Sequence, residues 1–167
     1  LEDKEVEGKV IVVVHHVGFY TDKFTLDGEE DLLWFYNNGT GTYAPAAMIN
    51  RKAYFTSSSN LPTPVFSPSD YALLKAGVTQ EAKLGTNAML SIVLDGDSTE
   101  VKASISGICN SLYSASNPYI MVYLVENEVE TNDQVGVTGS TKYFQQHVTR
   151  ACNGVWGEPI TWKDNTF

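Results

Sequence analysis

Two adjacent histidines, His15 and His16, close a run of β-branched residues, and imidazole is the commonest protein ligand for transition metals. Neighbours on an extended strand point to opposite faces, so only one of the two can join a given cluster. With three histidines in all and no Cys-x-x-Cys pair, a metal centre has little to build on. Asp95-Gly96-Asp97 with Glu100 offers oxygen ligands but lacks the further ligands and the spaced terminal Glu of an EF-hand loop, and reads as a polar hairpin turn. No serine sits in a Gly-x-Ser-x-Gly elbow, and the spacing assembles no Ser-His-Asp triad. Cys109 and Cys152 are separated by 42 residues, too far for a local redox motif; they are either one structural disulfide of an oxidising compartment or two buried free thiols. His147, near Arg150, is placed to hydrogen-bond a carboxylate such as Glu126 across strands, a structural fastening before it is a catalytic one. Trp34, Phe35 and Tyr36 resemble a ligand platform, yet two of the three are needed for a helix's own core face. Asn38-Gly39-Thr40 matches a glycosylation sequon, which has no force in a bacterial protein. The expectation is a chain with no catalytic residue, no metal and no cofactor.

The elements that carry these residues belong to a chain of 167 residues, 43% hydrophobic, enough for one ordinary domain or two small ones with a real core. Twenty acidic groups against 11 basic ones give a net charge of -9, which argues against a nucleic-acid partner, because phosphate binding needs clustered Lys and Arg. The deficit is even: residues 1–56 hold 9 acidic and 5 basic groups, residues 57–167 hold 11 and 6. No apolar run approaches the roughly 18 residues of a membrane span, and no charged leader with an apolar core opens the chain. The sequence therefore reads as a mature, soluble piece, with secretion or a lipid anchor outside this chain still open.

Val10-Ile11-Val12-Val13-Val14 is the continuous run expected of a strand buried on both faces, as in a parallel sheet. Asp27 with Glu30 resembles a capping box ahead of a helix through Tyr36, which Asn37-Asn38-Gly39 would stop. Tyr43-Ala44-Pro45 leads into a short strand over 46–50, with 51–55 as its hairpin partner. Residues 56–68 hold three of the six prolines and a Ser57-Ser58-Ser59-Asn60 tract, read as an interdomain linker. A short helix over 69–75 is expected to close at Gly77. Beyond it the period becomes two. Ala88, Leu90, Ile92 and Leu94 alternate, Asp95-Gly96-Asp97 turns the chain, and Thr99, Val101, Ala103 and Ile105 alternate again with Glu100 and Lys102 facing out, a hairpin with one solvated face. Runs over 119–125 and 143–151 give further strands. Several antiparallel strands in about ninety residues suggest a β-sandwich.

These residues carry a family likeness. Tyr123-Leu124-Val125 ending in Glu126, Gln134 before Gly136, then His147, Arg150 and Asn153-Gly154-Val155-Trp156-Gly157 resemble the twenty-eight-kilodalton outer-membrane lipoprotein family of Bacteroidetes, and Val10 to His16, the helix near Glu30 to Tyr36, and Ala44-Pro45 through Ile49-Asn50-Arg51 resemble the second half of that family's thioredoxin-like domain. The resemblance spans nearly the whole chain. It implies an α+β molecule in which a partial thioredoxin-like α/β unit (1–55) and a linker (56–68) precede an immunoglobulin-like antiparallel β-sandwich (69–167). Pro45 would then be the thioredoxin-type cis-proline. The chain departs from that pattern in two places: it has no Cys-x-x-Cys at a helix N-terminus, and it stops at Phe167, where the family's second domain continues for some strands. A fragment or a shortened relative is expected.

The resemblance implies a non-catalytic binding or assembly protein at the cell envelope, outer-membrane-associated or secreted, with a protein partner supplying missing strands by β-augmentation. Its structural or candidate binding residues would be Pro45, Glu126, Gln134, His147, Arg150 and Trp156. Two other classes stand beside it. One is a relative of thiol-disulfide oxidoreductases whose redox cysteines lie outside this chain. The other is a carbohydrate-binding surface module, for which Trp156 and Trp162 are the aromatic pair to test.

Overall fold

Asp-Gly between two alternating apolar runs demands a hairpin, and the longest regular feature of the structure is that hairpin. The computed structural model describes residues 4, 6–17, 19–36, 44–53, 64–69, 71–110, 117–132 and 142–167. Among the described residues two helices, α1 (Glu30–Tyr36) and α2 (Tyr71–Ala82), are joined by eight strands: β1 (Ala88–Gly96), β2 (Val101–Cys109), β3 (Tyr119–Ile120), β4 (Tyr123–Glu126), β5 (Val129–Thr131), β6 (Tyr143–Gln145), β7 (Val148–Cys152) and β8 (Glu158–Pro159). The strands pair as four two-stranded antiparallel sheets, β1-β2, β3-β8, β4-β7 and β5-β6. The molecule is thus a mostly-β, α+β arrangement with few short helices.

Its contacts divide into two units. The first comprises Leu1–Leu84 and Tyr123–Val155, the second Gly85–Val122 and Trp156–Phe167. The chain changes unit at 84/85, 122/123 and 155/156, and of the expected linker residues 56–63 lie outside the described residues. The sequon at 38–40, the Gly39 helix stop and Gln134 lie outside them too.

In the first unit the buried apolar side chains are Val6, Phe24, Leu32, Val65, Phe66, Val78 and Val148. The β-branched run 10–14 behaves differently from expectation. Only Val14 bridges, in parallel, to Val148, and Ile11 is 89% exposed, so the run is not buried on both faces. A strand is buried on two sides only where both of its edges are paired and both faces covered, and the rest of this run pairs with no described residue. Ala47 exchanges main-chain hydrogen bonds with Phe66 (2.8 and 3.0 Å), so its partner lies beyond the predicted hairpin arm at 51–55. Left-handed Asn50 and Arg51 turn the chain after it. Helix α2 continues through buried Gly77 to Ala82, because a glycine inside a packed helix costs only about 1 kcal/mol.

The runs over 119–125 and 143–151 are each cut in two. His147 (φ 58°) and Glu128 (φ 58°) are left-handed, and Asn127 Oδ1 accepts the His147 amide at 2.9 Å. The two strands of one long antiparallel ribbon therefore break opposite each other, leaving β4-β7 on one side and β5-β6 on the other. A register shift between Leu124 and Val125 makes Arg150 the extra residue of a β-bulge.

In the second unit β1 and β2 pair in register from Ala88 opposite Cys109 to Gly96 opposite Val101. Asp97 Oδ1 ties the turn by accepting from the Thr99 amide (2.7 Å), the Thr99 hydroxyl (2.6 Å) and the Glu100 amide (3.2 Å), and these bonds hold its carboxyl below the ordinary aspartate value. On its outer edge β2 receives the C-terminal residues: Gly107 and Phe167 exchange main-chain bonds at 3.1 Å each, and the Cys109 amide donates to Asn165 at 3.0 Å. Strand β3 pairs with β8 beside Gly157, whose φ is +72° and whose place a Cβ would fill against the Ile120 carbonyl. The glycine of the Trp-Gly motif is thus demanded twice, by its left-handed backbone and by this close approach. Gly157→Ala is expected to destabilise the β3-β8 pairing by about 1–3 kcal/mol. Loss of hydrogen-exchange protection at Ile120 and Ile160, with β4-β7 amides unchanged, is the measurement that checks it.

Candidate functional site

An extended segment sends successive side chains to opposite sides, and residues 10–17 do this with their two histidines. His15 Nδ1 lies 2.9 Å from Glu29 Oε1, and Glu29 is 0% exposed, held in the turn that leads into α1. Its second oxygen, Oε2, has no hydrogen-bond partner among the described residues. The His15 ring stands edge-on to Tyr123, 5.2 Å between centroids. Tyr123 lies directly opposite Cys152 across β4-β7, and its hydroxyl accepts from Arg51 Nη2 at 3.1 Å. Burial pushes the Tyr123 phenol up; the Arg51 guanidinium pulls the other way, and Glu29, Cys152 and Tyr36 add to the rise. Arg51 also lies over the Tyr36 ring, 5.7 Å from its centroid.

His16 points the other way. Its Nδ1 lies 2.8 Å from Asp22 Oδ2, its ring is edge-on to Phe24, and Thr25 Oγ1 donates to its carbonyl at 2.6 Å. Asp22 Oδ1 in turn accepts the Phe24 amide at 2.7 Å. Burial opposes a charge on Asp22, but the His16 hydrogen bond, the Phe24 amide, the His16 charge and the Thr25 amide together outweigh it and hold the carboxyl below its ordinary value.

Glu126 pairs with Arg150 (Oε2 to Nε, 3.2 Å), not with His147 as the sequence led us to expect. The physical reason is the bulge, which turns Arg150 toward Glu126 and over the Phe24 ring at 5.6 Å, while His147 is spent on the main-chain corner. Pro45 is exposed and follows a cis peptide. Trp156 is 46% exposed in the turn before β8, and Trp162 stands edge-on to Phe167, 4.9 Å away. Cys109 and Cys152 are both free thiols, one in each contact unit. Sequence reasoning placed the two histidines on opposite faces but missed Glu29, Asp22, Arg51 and Tyr123. The available signal was that a half-buried imidazole needs a polar partner, and carboxylates lay 6 and 14 residues downstream.

Chemically these groups fasten rather than react. Both His-carboxylate pairs are closed within one segment, and among the described residues no three His, Cys, Asp or Glu side chains converge as metal ligands do. A different surface is left open. Directly opposed residues of an antiparallel pair share a face, so one face of the β1-β2 ribbon carries Ala88, Leu90, Ile92, Leu94 and Gly96 with Val101, Ala103, Ile105, Gly107 and Cys109, without a single charged or amide side chain. The other face carries Ser91, Ser104, Ser106, Asp95 and Lys102 among Met89, Val93 and Ile108. The polar and apolar faces are divided as the sequence led us to expect, but the apolar one stays open: Leu90, Ile92, Leu94 and Val101 are 55–66% exposed.

Compared with known protein families, with curated proteins and with solved structures, the chain matches none of them.

Two measurements check the fastening. His15→Ala leaves Glu29 buried without its partner and is expected to cost about 3 kcal/mol in urea unfolding, against a smaller loss for Glu29→Gln, which keeps the shape. Because the folded carboxyl of Asp22 is held low, its contribution is full above the ordinary aspartate value and is lost as pH falls through the folded value. The acid limb of the stability curve should therefore flatten in Asp22→Asn.

Proposed function

We propose that this protein is a non-catalytic binding or assembly protein of the cell envelope, and that the open apolar face of the β1-β2 ribbon is its working surface. One observation carries the reading. Every buried apolar side chain among the described residues belongs to the first contact unit, whereas the second presents Leu90, Ile92, Leu94 and Val101, each more than half exposed, on one face of a strand pair. Contiguous apolar patches of this kind mark interaction sites, because exposing them costs about 25 cal/mol for each Å² that an occupant would remove from water. Beyond Ala88, whose amide and carbonyl meet the Thr86 hydroxyl, the outer edge of β1 pairs with no described residue, so main-chain donors and acceptors stand beside the patch, as a strand-adding protein partner needs.

The resemblance to the outer-membrane lipoproteins of Bacteroidetes fits this reading. Under it, the first residues form part of a thioredoxin-like unit and the ribbon belongs to an immunoglobulin-like sandwich. The thiol-disulfide alternative requires redox cysteines that this chain does not contain, its two cysteines being separated by 42 residues in sequence.

The test is site-specific photocrosslinking of the full-length gene product in Bacteroidetes cells. A benzophenone side chain at Leu94, on the apolar face, is expected to give a discrete protein adduct in the envelope fraction, and one at Ser104, on the polar face, is expected to give none. Absence of adducts at both positions, with the protein in the cytosolic fraction, would overturn the proposal.

A further inference from the structure

We propose that the open edge of β1 receives an extended segment of a partner protein, added antiparallel alongside Leu90, Ile92 and Leu94, with apolar side chains at alternate positions and a Lys or Arg at its N-terminal end. This rests on the reading of the ribbon as the working surface and names the chemistry of what it takes.

The bonding pattern of the ribbon fixes which groups are on offer. In an antiparallel pair, directly opposed residues either exchange both main-chain bonds or both turn outward, and the two kinds alternate. Gly107 and Cys109 turn outward on β2: Gly107 exchanges bonds with Phe167 at 3.1 Å each, and the Cys109 amide donates to Asn165 at 3.0 Å. Their opposites, Leu90 and Ala88, therefore turn outward on β1, and alternation adds Ile92 and Leu94. Ala88 is closed locally, its amide donating to Thr86 Oγ1 at 3.2 Å and that hydroxyl donating to the Ala88 carbonyl at 2.6 Å. Leu90, Ile92 and Leu94 each keep an amide and a carbonyl aimed away from β2, with no partner among the described residues. Their side chains are also the ones that stand 58–66% exposed on the apolar face. One row of residues thus offers main-chain hydrogen bonds and apolar surface together, and an extended chain with apolar alternate residues meets both, because directly opposed residues share a face.

The β2 edge already shows such a fit. Phe167 exchanges both bonds with outward-turned Gly107, the mark of antiparallel addition, and its ring lies where a Cβ on Gly107 would point, 2.7 Å from Cε1. Charge then sets the polarity of an occupant on β1. The strand ends at the hairpin tip, where Asp95, Asp97 and Glu100 outnumber Lys102 and, with it and Gly96, line one hollow of about 120 Å³. An antiparallel occupant begins at that tip, so a cation at its N-terminal end is attracted there and a carboxylate is repelled. The Thr86 hydroxyl closes the other end, which limits the site to residues 90–94. A lipid surface would cover the side chains but leave the edge amides and carbonyls unsatisfied in hydrocarbon, and a small apolar ligand would leave the edge unused.

The probe is a blocked peptide, Lys-Thr-Val-Thr-Val-Thr-Val, which in this register sets its valines opposite Leu94, Ile92 and Leu90 and its lysine beside Gly96. Titrated into the full chain, it is expected to bind saturably and to slow hydrogen exchange at the Leu90, Ile92 and Leu94 amides about tenfold or more. N-methylation of the three valines removes the donors aimed at β1 and should abolish binding, whereas N-methylation of the three threonines, whose amides face away, should change it less than about threefold. Exchanging the lysine for glutamate should weaken binding about tenfold at low ionic strength, a difference that fades at about 1 M salt. Ile92→Pro removes an outward donor without touching the β1-β2 ladder and should weaken binding with an unchanged circular dichroism spectrum. Equal binding of the two methylated peptides, or no saturable binding of the parent, would overturn the proposal. So would protection of the same amides in the chain alone that rises with its own concentration, which would make the occupant a second copy. The docking reading fails separately: a discrete adduct from Leu94 in cells, found together with any of these results, keeps the apolar face as a docking surface and removes only the added strand.

Discussion

Much of the first unit hangs on one main-chain exchange. The Val14 amide donates to the His147 carbonyl at 2.9 Å, and the Val14 carbonyl accepts twice from Thr149, from the amide at 3.0 Å and from the hydroxyl at 2.9 Å. Val148, wholly buried, and Thr149, nearly so, pack at this joint, where an unmade bond would cost about 1–3 kcal/mol. The joint is possible because His147 is left-handed. A corner there ends β6, starts β7 and aims a carbonyl at residue 14. Once residue 14 is set, strand alternation sends His15 to Glu29 and His16 to Asp22, so two hydrogen-bonded fasteners follow from one parallel bridge.

The contrast with the second unit is one of size. A piece of about fifty residues cannot bury a core of its own, and a two-stranded ribbon is at best marginally stable in water. The ribbon is held instead by local devices, the Asp97 turn at one end and the Phe167 edge pairing at the other, neither of which covers the middle of its apolar face. Main-chain and turn hydrogen bonds hold the ends, and apolar groups are left open between them.

What was legible in the sequence follows the range of the forces involved. The hairpin, its turn and the polar-apolar division of its faces are local, set by alternation and by Asp95-Gly96-Asp97, and they were readable. So was the opposition of His15 and His16, because it needs only the geometry of an extended chain. The partners of those histidines were not, since Glu29 and Asp22 are chosen by how a turn folds back. The run 143–151 was read as continuous where His147 breaks it, because nothing but tertiary context asks a non-glycine residue to turn left-handed, and the run 119–125 is interrupted at Met121-Val122. Gly77 was read as a helix stop, yet packing carried α2 through it. The bulge that hands Glu126 to Arg150 inserts one residue and has no composition of its own.

An open apolar face also changes what stability means for the second unit. Whatever covers Leu90, Ile92, Leu94 and Val101 binds the formed ribbon and not the unpaired strands, because only the formed ribbon gathers those side chains on one side. Binding and folding of the ribbon are then linked by mass action, with a stabilisation that grows as the logarithm of occupant concentration over its dissociation constant. On the proposed reading the chain then holds one unit that carries the buried apolar side chains and both histidine-carboxylate pairs, and one whose stability depends in part on what covers its ribbon.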